Sequence, residues 1–176
     1  VKNQPGQKNL FVNVIDDLQQ IAENVGNKTY YYRFGETIKA IKEHEVARVI
    51  NPIFYMCPDA ATDCVLDNQE TRLDLPFKAT KLDEEATYII VTDLFIENEQ
   101  LIGSHLQQIV KPLKGILKRG QSIGIIGVMN SFNGTIYGIP LSAGGTASYS
   151  GAKARPFYIL VIGDQKNINR IKKNLE

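Results

Sequence analysis

Three short and almost uninterrupted apolar runs constrain the fold of this chain more than any other feature of its sequence. They are residues 87–92, 122–129 and 157–162. Runs of this length without a charged residue predict strands that are buried on both faces, as in a parallel sheet covered by helices. Helical patterns separate the runs. The sequence therefore predicts a three-layer αβα sandwich with a mostly parallel central sheet.

The helical segments place apolar residues at spacings of three and four. Residues 9–23 and 104–118 show this pattern, and so does the C-terminal segment that follows Asp164. Gly120 supplies an end for the second helix, and Asp164 supplies an N-cap for the last. Pro112 predicts a kink in the second helix or a later start.

Weaker patterns occupy the intervening segments. The aromatic run 29–34 predicts a strand, and Asn133-Gly134 predicts a hairpin turn with a return strand over 135–139. Ser, Gly and Ala dominate residues 141–154, which predicts a flexible surface loop. The other interpretations are a short helix or irregular crossover at 37–49, an edge strand or loop at 53–56, a turn at 58–62 leading into a helix, and a loop at 76–83.

Composition and charge narrow the class of protein. Hydrophobic residues make up 43% and charged residues 22% of the 176 residues, which is ordinary for one soluble domain covering 1–176. Twenty Lys and Arg against 19 Asp and Glu give a formal net charge of +1, so no global field attracts nucleic acid. No apolar run approaches the roughly 20 residues of a membrane span, and no leader pattern is visible. The compartment stays open.

Cysteine and histidine offer little for a metal site. Cys57 and Cys64 are the two cysteines, and whether they pair is open. With His44 and His105 as the two histidines, neither a zinc site nor a histidine-based triad is expected.

Polar residues at the ends of the predicted strands form the candidate site. Ligands of open parallel sheets bind beyond the carboxyl ends of the strands. Asp93 follows the first apolar run, and Asn130 with Ser131 follows the second. A carboxylate in the position of Asp93 either holds a hard cation or caps the next loop.

Several segments together resemble the von Willebrand factor type A domain. Tyr88-Ile-Ile-Val-Thr-Asp93, the helix after it and Gln121-Ser-Ile-Gly-Ile-Ile-Gly127 resemble the fourth strand, the helix and the fifth strand of that family. Ala60-Ala-Thr62-Asp63 resembles its threonine loop. The helix at 9–23 and the strand ending in Arg33-Phe34-Gly35 resemble its first helix and second strand.

The resemblance implies a Mg²⁺ site for adhesion to a partner protein. Thr62 and Asp93 would be two metal ligands, and Asp63, Asn130 and Ser131 would belong to the binding rim; hard oxygen ligands suit this ion. The family's Asp-x-Ser-x-Ser loop is missing, and its place would be just before Val1. The chain is thus interpreted as a fragment or processed piece, or as a relative without the first strand.

Two functions from different classes follow. The first is a protein-interaction module that recognises another protein at the carboxyl edge of the sheet, through a cation that the partner completes. The alternative is a nucleotide- or phosphate-using α/β enzyme, with Tyr149, Lys153 and Arg155 at a site closed by the Gly-rich loop. Tyr149 and Lys153 imitate the Tyr-x-x-x-Lys pair of short-chain dehydrogenases, in which the lysine lowers the pKa of the tyrosine.

Overall fold

A computed structural model describes residues 10–26, 28–35, 37–49, 72–80, 83, 85–94, 104–141 and 144–175. These residues fall into two compact units. The sheet unit holds the described residues from Leu73 to Ile168, and the N-terminal unit holds those up to Arg72 together with those from Asn169 onward. The expectation of a single domain stays a prediction.

The elements follow one another along the chain in a mixed order of helices and strands. They are α1 (Leu10–Val25), β1 (Tyr32–Phe34), β2 (Ile38–Ala40), α2 (Glu43–Val46), α3 (Asp74–Ala79), β3 (Tyr88–Thr92), α4 (Ser104–Lys118), β4 (Ser122–Pro140), β5 (Thr146–Gly163) and α5 (Gln165–Leu175). None of the helices in these described stretches has the length and apolarity needed to cross a bilayer.

The N-terminal unit contains α1 and a small hairpin. Leu18 and Ile21 are the buried residues of α1, one helical turn apart. Strands β1 and β2 pair antiparallel, with Phe34 opposite Ile38. A strand at 38–40 and the one-turn helix α2 thus occupy the segment for which the sequence predicted a short helix or a crossover. The predicted elements at 53–56 and 58–62 lie outside the described residues.

A tyrosine links the hairpin to the helix in this unit. The hydroxyl of Tyr31 donates a hydrogen bond to Glu23 Oε1 at 3.0 Å. Partial burial, together with this nearby carboxylate, raises the pKa of Tyr31, because both disfavour the phenolate.

The sheet unit is built on three strands in the order β3–β5–β4, and both pairings are antiparallel. Tyr88 lies opposite Ile162, and Ser122 lies opposite Gly163. The prediction of a mostly parallel sheet in an αβα sandwich is therefore wrong. A continuous apolar run indicates that a strand is buried on both faces, but it does not indicate the direction of the neighbouring strands. Strand β5 is buried as the middle strand of an antiparallel sheet.

Strand direction explains how the error arose. Strands β3 and β4 run the same way because each is antiparallel to β5, and α4 connects them as a crossover. This part of the chain therefore has the strand–helix–strand order of a parallel fold. Strand β5 follows β4 through a hairpin and lies between β3 and β4. The sequence interpretation had predicted a loop in place of this hairpin.

Helices pack on this sheet through close contacts. Ile168 of α5 lies so near Gly124 that a Cβ built on this glycine would come within 2.8 Å of the isoleucine Cγ2. Asp164 Oδ1 accepts a hydrogen bond from the Lys166 N–H at 2.6 Å, which confirms the predicted N-cap of α5. Helix α4 has the predicted bounds with Pro112 inside it, and Gly120 follows it with a φ of 79°. Helix α3, in part of the predicted loop 76–83, packs against α4.

The buried residues of the sheet unit concentrate around β5. Its apolar core comprises Leu73, Phe77, Ile90, Ile116, Phe157, Ile159, Leu160, Val161, Ile162 and Ile168. Half of these ten lie on β5 itself, as expected for the middle strand of a covered sheet.

Strands β4 and β5 extend far beyond β3. Their pairing continues past Asn130 and Arg155 to Pro140 and Thr146, whereas β3 pairs only with the stretch of β5 from Tyr158 to Ile162. We call residues 88–92, 122–130 and 155–163 the base. We call residues 131–141 and 144–154 the arm.

The arm corrects two predictions. Asn133-Gly134 forms no turn, because both residues lie within β4 and pair with Ala152 and Gly151. Residues 146–154, part of the segment 141–154 predicted as a loop, belong to β5. The chain reverses at the tip instead, where Gly144 and Gly145 have φ values of 85° and 80° that glycine adopts without steric cost.

Candidate functional site

The predicted site residue Asp93 takes part in an ion pair that the sequence did not reveal. Its Oδ2 lies 2.8 Å from an Nη atom of Arg155. Asp93 directly follows β3, and continuing the β3–β5 register places it opposite Phe157, two positions from Arg155 on the same face. The antiparallel register therefore brings together two charged residues that are far apart in sequence.

The chain turns sharply just beyond Asp93. Thr92 is buried, and its hydroxyl accepts a hydrogen bond from the Leu94 N–H at 3.1 Å. Leu94 has a φ of 53°, which costs a residue with a side chain roughly 1–2 kcal/mol. A local hydrogen bond and a residue with positive φ thus end the extended backbone directly after Asp93.

Asn130 joins this pair from the other side of β5. It lies directly opposite Arg155 in the β4–β5 ladder, where paired Cα atoms are about 4.5–5.5 Å apart. Asn130 is half-buried, on the same face of the sheet as Arg155. Ser131 is the next residue, exposed on the opposite face. We call Asp93, Asn130 and Arg155 the junction, because they mark the end of the base and the start of the arm.

The junction is polar, partly exposed and close to neutral. The Asp93 side chain is 41% exposed and that of Arg155 is 24% exposed. An ion pair with this exposure remains in contact with solvent, so its attraction contributes little to stability and is weakened by salt. Both groups are nevertheless held in defined positions by β3 and β5, and a binding partner can compete for either.

The predicted Mg²⁺ site is not supported by these neighbours. A guanidinium 2.8 Å from Asp93 supplies the positive charge that a bound cation would supply, and it repels a second cation. Thr62 and Asp63, the other predicted ligand and its neighbour on the rim, lie outside the described residues. Among the residues that are described, no three His, Cys, Asp or Glu side chains cluster in a way that could hold a metal ion. The Mg²⁺ site therefore stays a prediction.

The predicted enzyme residues are separated by the strand geometry. Tyr149 and Lys153 both lie on β5, where four residues extend over about 13 Å at a rise of 3.3 Å per residue. In a helix the same spacing would bring the two residues within about 6 Å. The structure therefore does not bring them together as a Tyr-x-x-x-Lys pair. Arg155, the third residue of that hypothesis, pairs with Asp93.

The sequence interpretation missed the arm and the charged partner of Asp93. A signal for the arm exists, because no Asp, Glu, Lys or Arg occurs from Gly120 to Ala152. The interpretation of residues 141–154 as a loop did not consider this long uncharged stretch as a whole. No local signal identifies Arg155 as the partner, because that contact depends on the register of two distant strands.

Comparisons with known protein families, with curated proteins and with solved structures find no match for this chain. The resemblance to the von Willebrand factor type A domain accordingly stays a prediction.

Proposed function

We propose that this chain is a protein-interaction module, and that it recognises another protein at the junction and along the adjoining arm. The von Willebrand type A resemblance implies the same class of function. The proposal does not require the parallel sheet of that family. The observation that carries it is the Asp93–Arg155 ion pair, partly exposed at the foot of an arm with a single charged residue.

Two properties of this surface favour protein recognition. The cores of protein interfaces are depleted in charged residues, and the arm contains a single charged residue, Lys153. Arginine is enriched among the residues that dominate binding energy, above all where its stem is covered and its head can exchange partners. The side chain of Arg155 is 24% exposed and lies beside the arm.

The arm itself is poorly supported as an isolated structure. A two-stranded ribbon is marginally stable in water unless further strands or a partner cover it. Among the described residues, β3 provides a third strand to the base and none pairs with the arm. Binding of a partner would add apolar contacts to this ribbon.

Peptides selected from a random display library against the immobilised chain test the proposal. We expect independently selected peptides to bind at the junction, so that Arg155→Ala weakens their binding by at least about 2 kcal/mol, roughly thirtyfold in Kd. Arg48→Ala is the matched control, because Arg48 is an exposed arginine that also pairs with a carboxylate, Glu45, in the N-terminal unit. Equal binding to both variants would contradict the proposal.

Removal of the arm provides a second test. Asn130 and Arg155 lie opposite each other, so a two-residue Asn-Gly turn can join them and keep the base paired. This shortened chain is expected to retain protected amides in β3 and β5 by hydrogen exchange and to lose the selected peptides. Full binding by a folded, shortened chain would exclude the arm as part of the site.

Calorimetric titration with Mg²⁺ tests the cation that the resemblance implies. Asp93→Asn removes the charge and keeps the shape of the side chain. Because Arg155 already neutralises Asp93, we expect equal and negligible heats from the wild type and the variant. A binding heat that disappears in Asp93→Asn would reinstate the predicted metal site.

A further inference from the structure

The outer edge of β4 along residues 122–131, which we call the β4 edge, has no strand beside it among the described residues. Strand β4 is the last strand in the order β3–β5–β4. Every second residue of an edge strand directs its backbone N–H and C=O groups away from the sheet, and these groups can pair with another strand. The β4 edge is therefore a template for adding a strand.

The β4 edge lacks the features that protect such edges. Proteins discourage unwanted strand pairing with charged residues, proline, bulges or very short strands. Residues 122–131 contain neither a charge nor a proline, and all of them pair with β5 in one unbroken register. The irregularity in β4 lies farther out, between Ile136 and Ile139.

Exposed apolar side chains line the same edge. Ile125 is 65% exposed and Met129 is 62% exposed, and alternation along the strand places both on one face with the exposed Gly127 between them. Two large apolar side chains this exposed, beside a stretch of β5 that is buried from residue 159 to residue 163, indicate a surface that is buried in an assembly.

We propose that the β4 edge pairs antiparallel with the β4 edge of a second copy of this chain, around a two-fold axis at Gly127. In this register Ile125 of each copy lies beside Met129 of the other, because both are two residues from the axis. The two glycines meet at the centre, where the ring of Tyr158 lies 3.7 Å from the position that a Cβ of Gly127 would occupy. Pairing joins the two three-stranded sheets into one continuous sheet.

A self-complementary pattern favours a second copy over a different partner strand. Two-fold pairing sets each residue of the edge against the residue at the same distance on the other side of the axis. Ile125 and Met129 are both two residues from Gly127, so the two exposed apolar side chains meet each other across the axis. The β4 edge carries no charge, so no like charges meet at the axis or beside it.

Sedimentation velocity of the full chain over a range of concentrations tests the pairing. We expect the wild type to shift from monomer to dimer as concentration rises. The double variant Ile125→Lys, Met129→Lys places like charges against each other across the axis and is expected to remain monomeric. The double variant Ile125→Lys, Met129→Glu places opposite charges there and is expected to recover the dimer.

The charge-swapped pair distinguishes register-specific pairing from general stickiness and from misfolding. Circular dichroism and urea unfolding must show that both double variants are folded. Leu117→Lys is the matched control, because Leu117 is an equally exposed apolar residue on α4, and it should leave the dimer unchanged. A dimer that survives the two lysines, or a charge-swapped variant that stays monomeric, would overturn the proposed register.

A monomeric wild type would overturn the proposal, and hydrogen exchange would then identify the actual occupant of the edge. Amides of β4 that point away from β5 would be protected if another part of the same chain covers them, and unprotected if the edge awaits a foreign strand. This inference goes beyond the proposed partner site and does not depend on it. The Arg155→Ala variant should lose selected peptides and keep the dimer, so the two proposals can fail separately.

Discussion

The base and the arm are made from the same two strands, yet they differ in what surrounds them. In the base, β5 lies between β3 and β4, and residues Phe157–Ile162 are apolar with five of the six buried. In the arm, β4 and β5 pair with each other alone among the described residues. Backbone pairing extends through both regions, with one register shift in the arm between Ile136 and Ile139, so we expect that the ladder of hydrogen bonds does not by itself decide where stability resides. Burial on two faces does.

The largest expected contrast compares one isoleucine from each region. Ile162→Ala removes a fully buried side chain from the base and should lower the free energy of unfolding by about 2–5 kcal/mol. Ile139→Ala removes a half-buried side chain from the arm and should cost less than about 1 kcal/mol, because a side chain that is already partly exposed loses less buried apolar area. Urea unfolding monitored by circular dichroism measures both. Equal losses would show that the arm has a core of its own.

Two glycines within the base sharpen the comparison. Gly124→Ala should destabilise the sheet unit by about 1–3 kcal/mol, because the new Cβ would meet Ile168 Cγ2 at 2.8 Å. Gly127→Ala is the matched control on the same strand, since its nearest neighbours are ring atoms of Tyr158 at 3.7 and 3.8 Å. We expect its unfolding free energy to change by less than about 0.5 kcal/mol.

A double variant checks the cause of the loss at Gly124. Ile168→Ala removes the Cγ2 methyl that the new Cβ would meet. The combined variant Gly124→Ala, Ile168→Ala should therefore lose less stability than the sum of the two single variants. Additive losses in urea unfolding would attribute the effect of Gly124→Ala to something other than this contact.

The most local expected effect concerns the tip of the arm. Gly145 has a φ of 80°, and no heavy atom beyond its chain neighbours lies within 4 Å of the position that a Cβ would occupy, so Gly145→Ala introduces backbone strain of roughly 1–2 kcal/mol without a clash. We expect faster amide hydrogen exchange in the arm and unchanged exchange in the base. Gly145→Asn should have a weaker effect, since asparagine tolerates this conformation better. Faster exchange throughout the base would mean that the two regions unfold as one.

The sequence predicted the elements whose determinants are local. Helix α4 begins at Ser104 and ends at Lys118 as expected from its apolar spacing, and Asp164 caps α5. The run ending at Thr92 forms β3. In each case a period, a cap or an apolar run lies within the segment itself, so no distant residue is needed to infer it.

Strand order and direction could not be predicted in the same way. An apolar run such as residues 157–162 reports burial, which a middle antiparallel strand and a parallel strand share. The small residues of 146–154 were interpreted as a loop because their strand character comes from pairing with β4, not from their own propensity. Asn133-Gly134 is a common turn sequence, but pairing with Ala152 and Gly151 outweighs it here.

The candidate site likewise combines one feature that a local pattern predicted with another that depends on the pairing of distant strands. The position of Asp93 after β3 was predicted from a local pattern, and the structure places it there. Its pairing with Arg155 depends on an antiparallel register between segments more than 60 residues apart, which no local pattern encodes. The Mg²⁺ hypothesis considered the carboxylate without this neighbour, and Thr62 lies outside the described residues.

Because of the register shift between Ile136 and Ile139, the length of the arm can change without a change in the order of the strands in the sheet. Two residues of β4 already face one residue of β5 there, so the strands resume pairing beyond the offset under a new alignment. An inserted or deleted residue at this point would change the reach of the tip and leave the alignment of Asn130 with Arg155 untouched. Natural or engineered insertions and deletions at this point can thus lengthen or shorten the arm while the pairing within the base stays the same.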